Sequence, residues 1–214
     1  MAISFKQTKG KAQSNKVETF EFKDGENSFR MFGGVIPRYV YWVKGKNNKD
    51  IPIECLAFSR DKEKFDNLET DHVTKAFPEL RPSWSYVVNV IDLRDGKPKA
   101  CNLKRKLFES IVSAAEDLGD PTDPDEGWDV VCKRVKTGPM AFNVEYQLQV
   151  LRCKKRALSD VEREAIGKEK SIDEKYPRPT QEEVLALLEK ISSHDDESDE
   201  SNQAEKEAVN ELQQ

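Results

Sequence analysis

The sequence predicts a mainly β chain with α additions: a five-stranded β-barrel with one inserted helix, C-terminal helices and a disordered acidic tail. Three observations carry that expectation. Short alternating runs separated by Gly, Pro and Asn turns fill most of residues 17–157. One strongly amphipathic segment, KRKLFESIVSAAEDLGDP, interrupts them. After Ser192 the chain becomes DDESDESNQAEKEAVNEL, too polar to build a core.

Composition agrees with a compact domain carrying solvated extensions, since 36% of the 214 residues are hydrophobic and 35% charged. No apolar run approaches the roughly 18 residues of a membrane span, and MAISFKQTKGK lacks the apolar centre of a signal peptide. Neither a membrane partner nor export is expected. Cys55, Cys101, Cys132 and Cys153 form no C-x-x-C pair and read as reduced, mostly buried thiols of a cytoplasmic protein. The net charge of −5 is unevenly placed. Residues 1–160 hold 28 Lys and Arg against 24 Asp and Glu, whereas residues 161–214 hold 7 against 16. A mildly basic body with an acidic tail suits a nucleic-acid binder.

Residues 1–16, with Lys6, Lys9, Lys11 and Lys16 and no acid, read as a flexible basic arm. Strands are expected around 28–36, 38–45 and 50–58. Within the second, a period of two sets Tyr39, Tyr41 and Val43 on one face and Trp42, Lys44 and Lys46 on the other. Residues 59–82 form a polar connection with one or two short helical turns, including Phe65, Leu68, Val73 and Phe77 at loosely helical spacing. SWSYVVNVIDLRDGKPKACNL is a strand pair turned at Asp95-Gly96. The following helix has an apolar stripe of Leu107, Phe108, Ile111, Val112, Ala115 and Leu118, stopped by Gly119 and Pro121. A last hairpin follows, with Val144, Tyr146, Leu148 and Val150 inward. Two helices close the ordered chain. Ser159 with Glu162 and Thr180 with Glu183 are capping boxes at their starts, and Val184, Leu185, Leu187, Leu188 and Ile191 are the apolar face of the second.

Five strands with one helix before the last hairpin suit an OB-fold. The organisation expected is an arm over 1–16, an OB-fold domain over 17–157, a helical segment over 158–191 and the tail over 192–214.

Catalytic groups are scarce. His72 and His194 have no neighbours suggesting a triad, and Cys55 with His72 falls short of the four ligands zinc needs. In GDPTDPDEGWD, Asp123, Asp125 and Asp129 imitate oxygen ligands, but Gly127 comes one place early for a calcium loop and two prolines intervene. A solvated connection is the simpler reading. Aromatic and basic residues do interleave: Trp42 with Lys44 and Lys46, Trp84 and Tyr86, the run Lys104, Arg105 and Lys106, and Phe142 beside Lys133, Arg134 and Lys136. Single-strand binders combine such cations for phosphates with ring faces on which bases stack.

SWSYVVNVID, KPKACNLKRKLFESI and GDPTDPDEGWDVVCKRV carry a resemblance that runs from about residue 29 to 152. In these stretches the chain resembles the single-stranded DNA-binding, helix-destabilising replication proteins of tailed bacteriophages. The resemblance implies an OB-fold body, sequence-independent single-strand binding and an acidic tail that recruits replication and recombination proteins. By residue match, Trp84, Asn102, Lys104 to Lys106, Phe108 and Phe142 fall where that family places its DNA cleft; Phe108, on the apolar stripe, is read as core. Members with a zinc subdomain carry Cys-Pro-x-Cys soon after the strand matching IPIEC. This chain has RDKEKFDNLETDH there, so no structural zinc and no cofactor is expected. The basic motif that gives some members cooperativity is only loosely echoed in KQTKGKAQSNK, leaving self-association along DNA open. The tail ends in AVNELQQ without an acidic-aromatic tip.

The expected function is non-enzymatic binding and protection of single-stranded DNA in phage replication, recombination and repair, in the bacterial host cytoplasm. Asp195, Asp196, Glu197, Asp199 and Glu200 would be the partner-binding part of the tail. The alternatives are an OB-like protein-interaction adaptor of a phage replication complex and, ranked lower, a metal-dependent nuclease built on the acidic loop.

Overall fold

The structure is a computed structural model that describes residues 17–45, 49–140 and 143–192. The chain divides into two compact units. Unit one holds Ser85–Pro177 and the described residues up to Ile36. Unit two holds Pro37–Trp84 and the described residues from Arg178 onward. The helical segment expected over 158–191 is therefore shared between them.

Strand β1, Gly25–Lys44, runs through both units and replaces the two separate strands expected there. Pro37 lies between the part of β1 paired to β7 (Trp128–Lys136) and the part paired to β2 (Asp50–Glu54). The expected third strand is likewise shorter, ending at Glu54.

In unit one, β5 (Ser83–Asp92) and β6 (Lys97–Lys104) form the hairpin predicted at Asp95-Gly96, with Gly96 at φ +68°. β7 pairs with β8 (Val144–Leu148) and with the short β9 (Lys154–Lys155). The strand order is β6-β5-β1-β7-β8. Its two ends do not pair among the described residues, so the expected closed barrel is corrected to an open sheet. A local cause is visible on β6. The Ala100 N–H donates to the Glu18 carbonyl and the Ala100 carbonyl accepts from the Phe20 N–H, both at 2.8 Å. Residues 18–20 thus occupy the outer edge that closure would require.

Helix α2, Arg105–Leu118, buries Leu107, Ile111 and Ala114 and half-buries Phe108 and Ala115. Val112, expected on the stripe, is 51% exposed. Gly119, at φ +81°, returns its N–H to Ala115 and ends the helix, and its carbonyl accepts from Trp128 Nε1 at 2.8 Å. Trp128, Phe29, Val88, Leu103 and Val130 are fully buried beside it in the unit's core. Val150, expected inward, is exposed in the 3₁₀ turn Val150–Arg152.

Helix α3, Asp160–Gly167, has the predicted Ser159–Glu162 capping box. A further helix, α4 (Ile172–Lys175), starts at an unanticipated Ser171–Glu174 box and packs Ile172 on Val87 and Ala100. Glu162 is also gripped by Arg156 through two 2.7 Å contacts. Those bonds, with the Ser159 N–H, hold its carboxyl down at about 2, against 4.5 ordinarily. A carboxylate with a lowered folded-state pKa contributes stability above its unfolded value, lost as pH falls towards the folded one. Wild-type protein should therefore lose stability between about pH 4.5 and 2 more steeply than Glu162→Gln, read from unfolding midpoints across that window. Parallel curves would show that the Arg156 pair contributes nothing.

In unit two, Tyr41, Val43 and Ile53 pack with Val73 of α1 (His72–Ala76) and with Val184 and Leu188 of α5 (Gln181–Ser192). Leu185, expected on that apolar face, is 40% exposed. Thr180 and Glu183 exchange the predicted capping bonds. A second small sheet pairs β3 (Phe58–Ser59) with β4 (Lys64–Phe65). Arg178 binds the carbonyls of Leu56 and Phe58 at 2.7 and 2.9 Å, pinning the chain that leads into α5. Cys55, Cys101 and Cys132 are buried free thiols and Cys153 is half-buried. Burial pushes the Cys55 thiol up to about 11, and it donates to Asp71 at 3.3 Å beside the Tyr41 hydroxyl.

Candidate nucleic-acid interface

The predicted alternation holds for the described residues of β1 in unit two. Tyr41 and Val43 are buried, while Trp42 is 51% exposed on the opposite face, across from Pro52. Lys44 shares the Trp42 face and pairs with Asp50 at 2.5 Å. Lys46 lies outside the described residues. Trp84 is half-buried, with its ring edge-on to Tyr39 at 4.6 Å and to Phe58 at 5.2 Å.

In unit one the register sets Ser85 opposite Lys104 and Val87 opposite Asn102, all on one face of the β5–β6 hairpin. The same face further along carries Asn89. Its amide donates to the Lys170 carbonyl at 3.1 Å and its side-chain oxygen accepts from Lys175 at 2.7 Å. The α4 region therefore covers that end and leaves Asn102 and Lys104 exposed at the other. Tyr86 points to the opposite face, where it is buried and stacked on Phe108 at 3.8 Å. That stack also explains why Phe108 behaves as core.

Lys104, Arg105 and Lys106 are all exposed at the start of α2. Arg105 pairs with Glu109 at 2.7 Å, while Lys104 and Lys106 have no ion pair among the described residues. The N-cap, Lys104, makes no side-chain capping bond, and the first turn holds no acid. Cations at the positive end of a helix are unfavourable, so local stability does not explain Lys104 and Lys106.

The hairpin cations are less united than their sequence suggests. Alternation on β7 sends Lys133 to one face, opposite Gln147, and Arg134 and Lys136 to the other, opposite Tyr146 and Val144. Asp24 forms ion pairs with both Arg134 and Lys136, the latter at 3.4 Å, and Glu26 pairs with Arg152. Acids from the β1 approach thus offset part of the patch. Lys133, Lys154 and Lys155 remain exposed. Phe142 lies outside the described residues, as do His194 and the acidic tail.

The acidic loop is internally organised. Asp123 accepts the N–H groups of Asp125 and Glu126 at 2.8 Å, Asp125 pairs with Arg163, and Asp129 with Arg156. Buried Arg30 reaches beneath it to the Asp123 carbonyl at 2.5 Å. Among the described residues no three His, Cys, Asp or Glu side chains come together as a metal site. His72 instead faces the Gln181 side chain at 3.4 Å.

Phe65, expected in a loosely helical connection, stands on β4 and is 47% exposed. The short β3–β4 pairing, two residues a side, is too brief for alternation to have revealed it.

The "Probable ssDNA-binding protein" of Escherichia phage T5 is 30% identical over an alignment of 235 residues, spanning 92% of this chain and 91% of the relative. No protein-family model matches the chain, and no solved structure matches it.

Proposed function

The chain belongs to the phage single-stranded-DNA-binding protein family, and from that premise we propose that it binds single-stranded DNA without sequence preference and without enzymatic chemistry. The observation that carries this reading is the run of three exposed cations at the start of α2, beside exposed Asn102. Evenly spaced phosphates are the ligand such a run suits, and Lys133 extends the set in unit one. In unit two, exposed Trp42 with Lys44 offers a ring face, and half-buried Trp84 is a separate candidate ring on the Tyr39 side; Lys46 and Phe142 belong to the same proposal. Tyr86, buried under Phe108, supports the Trp84 strand from within.

An opened OB-type arrangement is part of the proposal. Read as strands one to five, β1, β5, β6, β7 and β8 carry α2 between the third and fourth, and the β6-β5-β1-β7-β8 order gives them one consecutive sheet. OB-folds bind oligonucleotides on strands two and three and on the loop between four and five. Asn102 and Lys104 stand on the third of these strands, which supports the reading. Titration with oligo(dT) tests the reading: tryptophan emission should be quenched, and the DNA should remain uncut in Mg²⁺ or Mn²⁺. An adaptor would leave emission unchanged; a nuclease would shorten the oligomer.

The wider proposal is protection of single strands during phage replication, recombination and repair in the host cytoplasm, with the tail recruiting partner proteins through Asp195, Asp196, Glu197, Asp199 and Glu200. From Ser192 to Gln214 the chain has eight acids and one base, Lys206. A tethered polyanion competes with DNA for cationic sites at high local concentration. Deleting 192–214 should tighten DNA binding, most at low salt where screening is weakest. Identical affinities of full-length and truncated protein at low salt would defeat the competition.

A further inference from the structure

Four aromatic rings meet in unit two. Phe58 is fully buried and forms the floor. Tyr39 packs edge-on to it at 4.9 Å, Trp84 lies at 4.6 Å from Tyr39, and Phe65 lies at 4.7 Å from Tyr39 and 5.4 Å from Phe58. Burial falls off outward through this cluster: Tyr39 and Trp84 are half-buried, and Phe65 is 47% exposed. A hairpin with only two paired residues on each strand thus holds a large ring half in water.

The backbone around Phe65 is unusual as well. Glu63 at φ +48° and Asn67 at φ +53° bracket β4, and they are the non-glycine residues with left-handed φ among the described residues. Such conformations carry a steric cost that the surrounding structure must hold, and they concentrate at binding sites. Asp66 and Asn67 both donate to the Ala57 carbonyl at 3.2 Å, which fixes the strand that presents the ring. Lys64, next to Phe65, is exposed and has no ion pair among the described residues.

We infer that Phe65, braced by Tyr39 and Phe58 beside Trp84, is a base-stacking residue, and that the β3–β4 hairpin is a nucleotide-binding element of unit two. The inference rests on the single-strand-binding reading above and adds a subsite to it. An exposed ring on an aromatic floor accepts any base, because every base has a π-face, and the adjoining Lys64 suits the phosphate. Phe65 and Trp84 both pack on Tyr39, so the exposed ring of Phe65 stands on one aromatic cluster.

The test uses the full chain and oligo(dT). Phe65→Leu keeps apolar volume and removes the ring, so it should melt like wild type yet bind at least about fivefold more weakly, the low end of one lost stack. Phe65→Tyr keeps the ring and should restore binding. A second measurement leaves Phe65 intact: irradiating wild-type protein with an iodouracil-substituted oligomer should attach DNA to the peptide containing Phe65. Equal affinity of the Leu and wild-type proteins, or crosslinks that avoid that peptide, overturns the inference while single-strand binding stands. Failure of wild type itself to bind oligo(dT) is a different result and removes the reading on which the inference rests.

Discussion

Replacing Lys104, Arg105 and Lys106 together by Glu should weaken single-strand binding about a hundredfold or more without lowering the protein's stability. Each charge pair at contact distance contributes about 1 kcal/mol even in bulk water, so three lost contacts reach that size before any new repulsion is counted. The slope of log affinity against log salt should flatten by about 2, since each phosphate contact on a single strand contributes roughly 0.7. Stability should move the other way, if at all. The three cations sit at a helix start with no side-chain cap and no acid in the first turn. Acids there suit the helix dipole, and the new repulsion between positions 105 and 109 offsets only part of that gain. Opposite signs in binding and stability separate a functional cluster from a structural one. Unchanged affinity would remove α2 from the interface.

The second large effect concerns folding. A Cβ at Gly127 would lie 2.4 Å from the Asp123 carbonyl oxygen and 2.6 Å from Arg30 Nη2. Neither neighbour can yield easily. The Asp123 carbonyl already accepts from Arg30 and from the Gly127 N–H at 3.1 Å, and Arg30 is fully buried. Gly127→Ala should cost on the order of 2–3 kcal/mol, as overpacking of a close-packed site does. For a protein of this size that lowers the melting temperature by roughly 5–10 °C. A wild-type melting temperature would show that the acidic loop is not anchored on Arg30.

Local chemistry made much of the fold legible. The Asp95-Gly96 turn, the 105–118 helix with its glycine stop, and both capping boxes are written in neighbouring residues. Alternation also sorted Tyr41 and Val43 from Trp42 and Lys44. What sequence could not show was pairing between distant segments. Residues 18–20 take the β6 edge, and nothing in their composition marks that destination. Asp24 lies more than a hundred residues from Arg134 and Lys136 in sequence, so the hairpin looked more basic than it is. Tyr86 read as a surface ring because it stands with Trp84 among aromatic residues that interleave with basic ones in sequence. The stack on Phe108 that buries it comes from a different element. The extended run of β1 through Pro37 likewise depends on partners from distant segments, β5, β7 and β2, brought to it by the fold.

The most direct measurement is the affinity of the full-length protein for a single strand and for a duplex of the same length, across a series of salt concentrations. Ring stacking requires unpaired bases, so single strands of different sequence should bind alike and far more tightly than duplex, with log affinity falling linearly as log salt rises. Equal or tighter duplex binding, or single-strand binding indifferent to salt, would contradict the account.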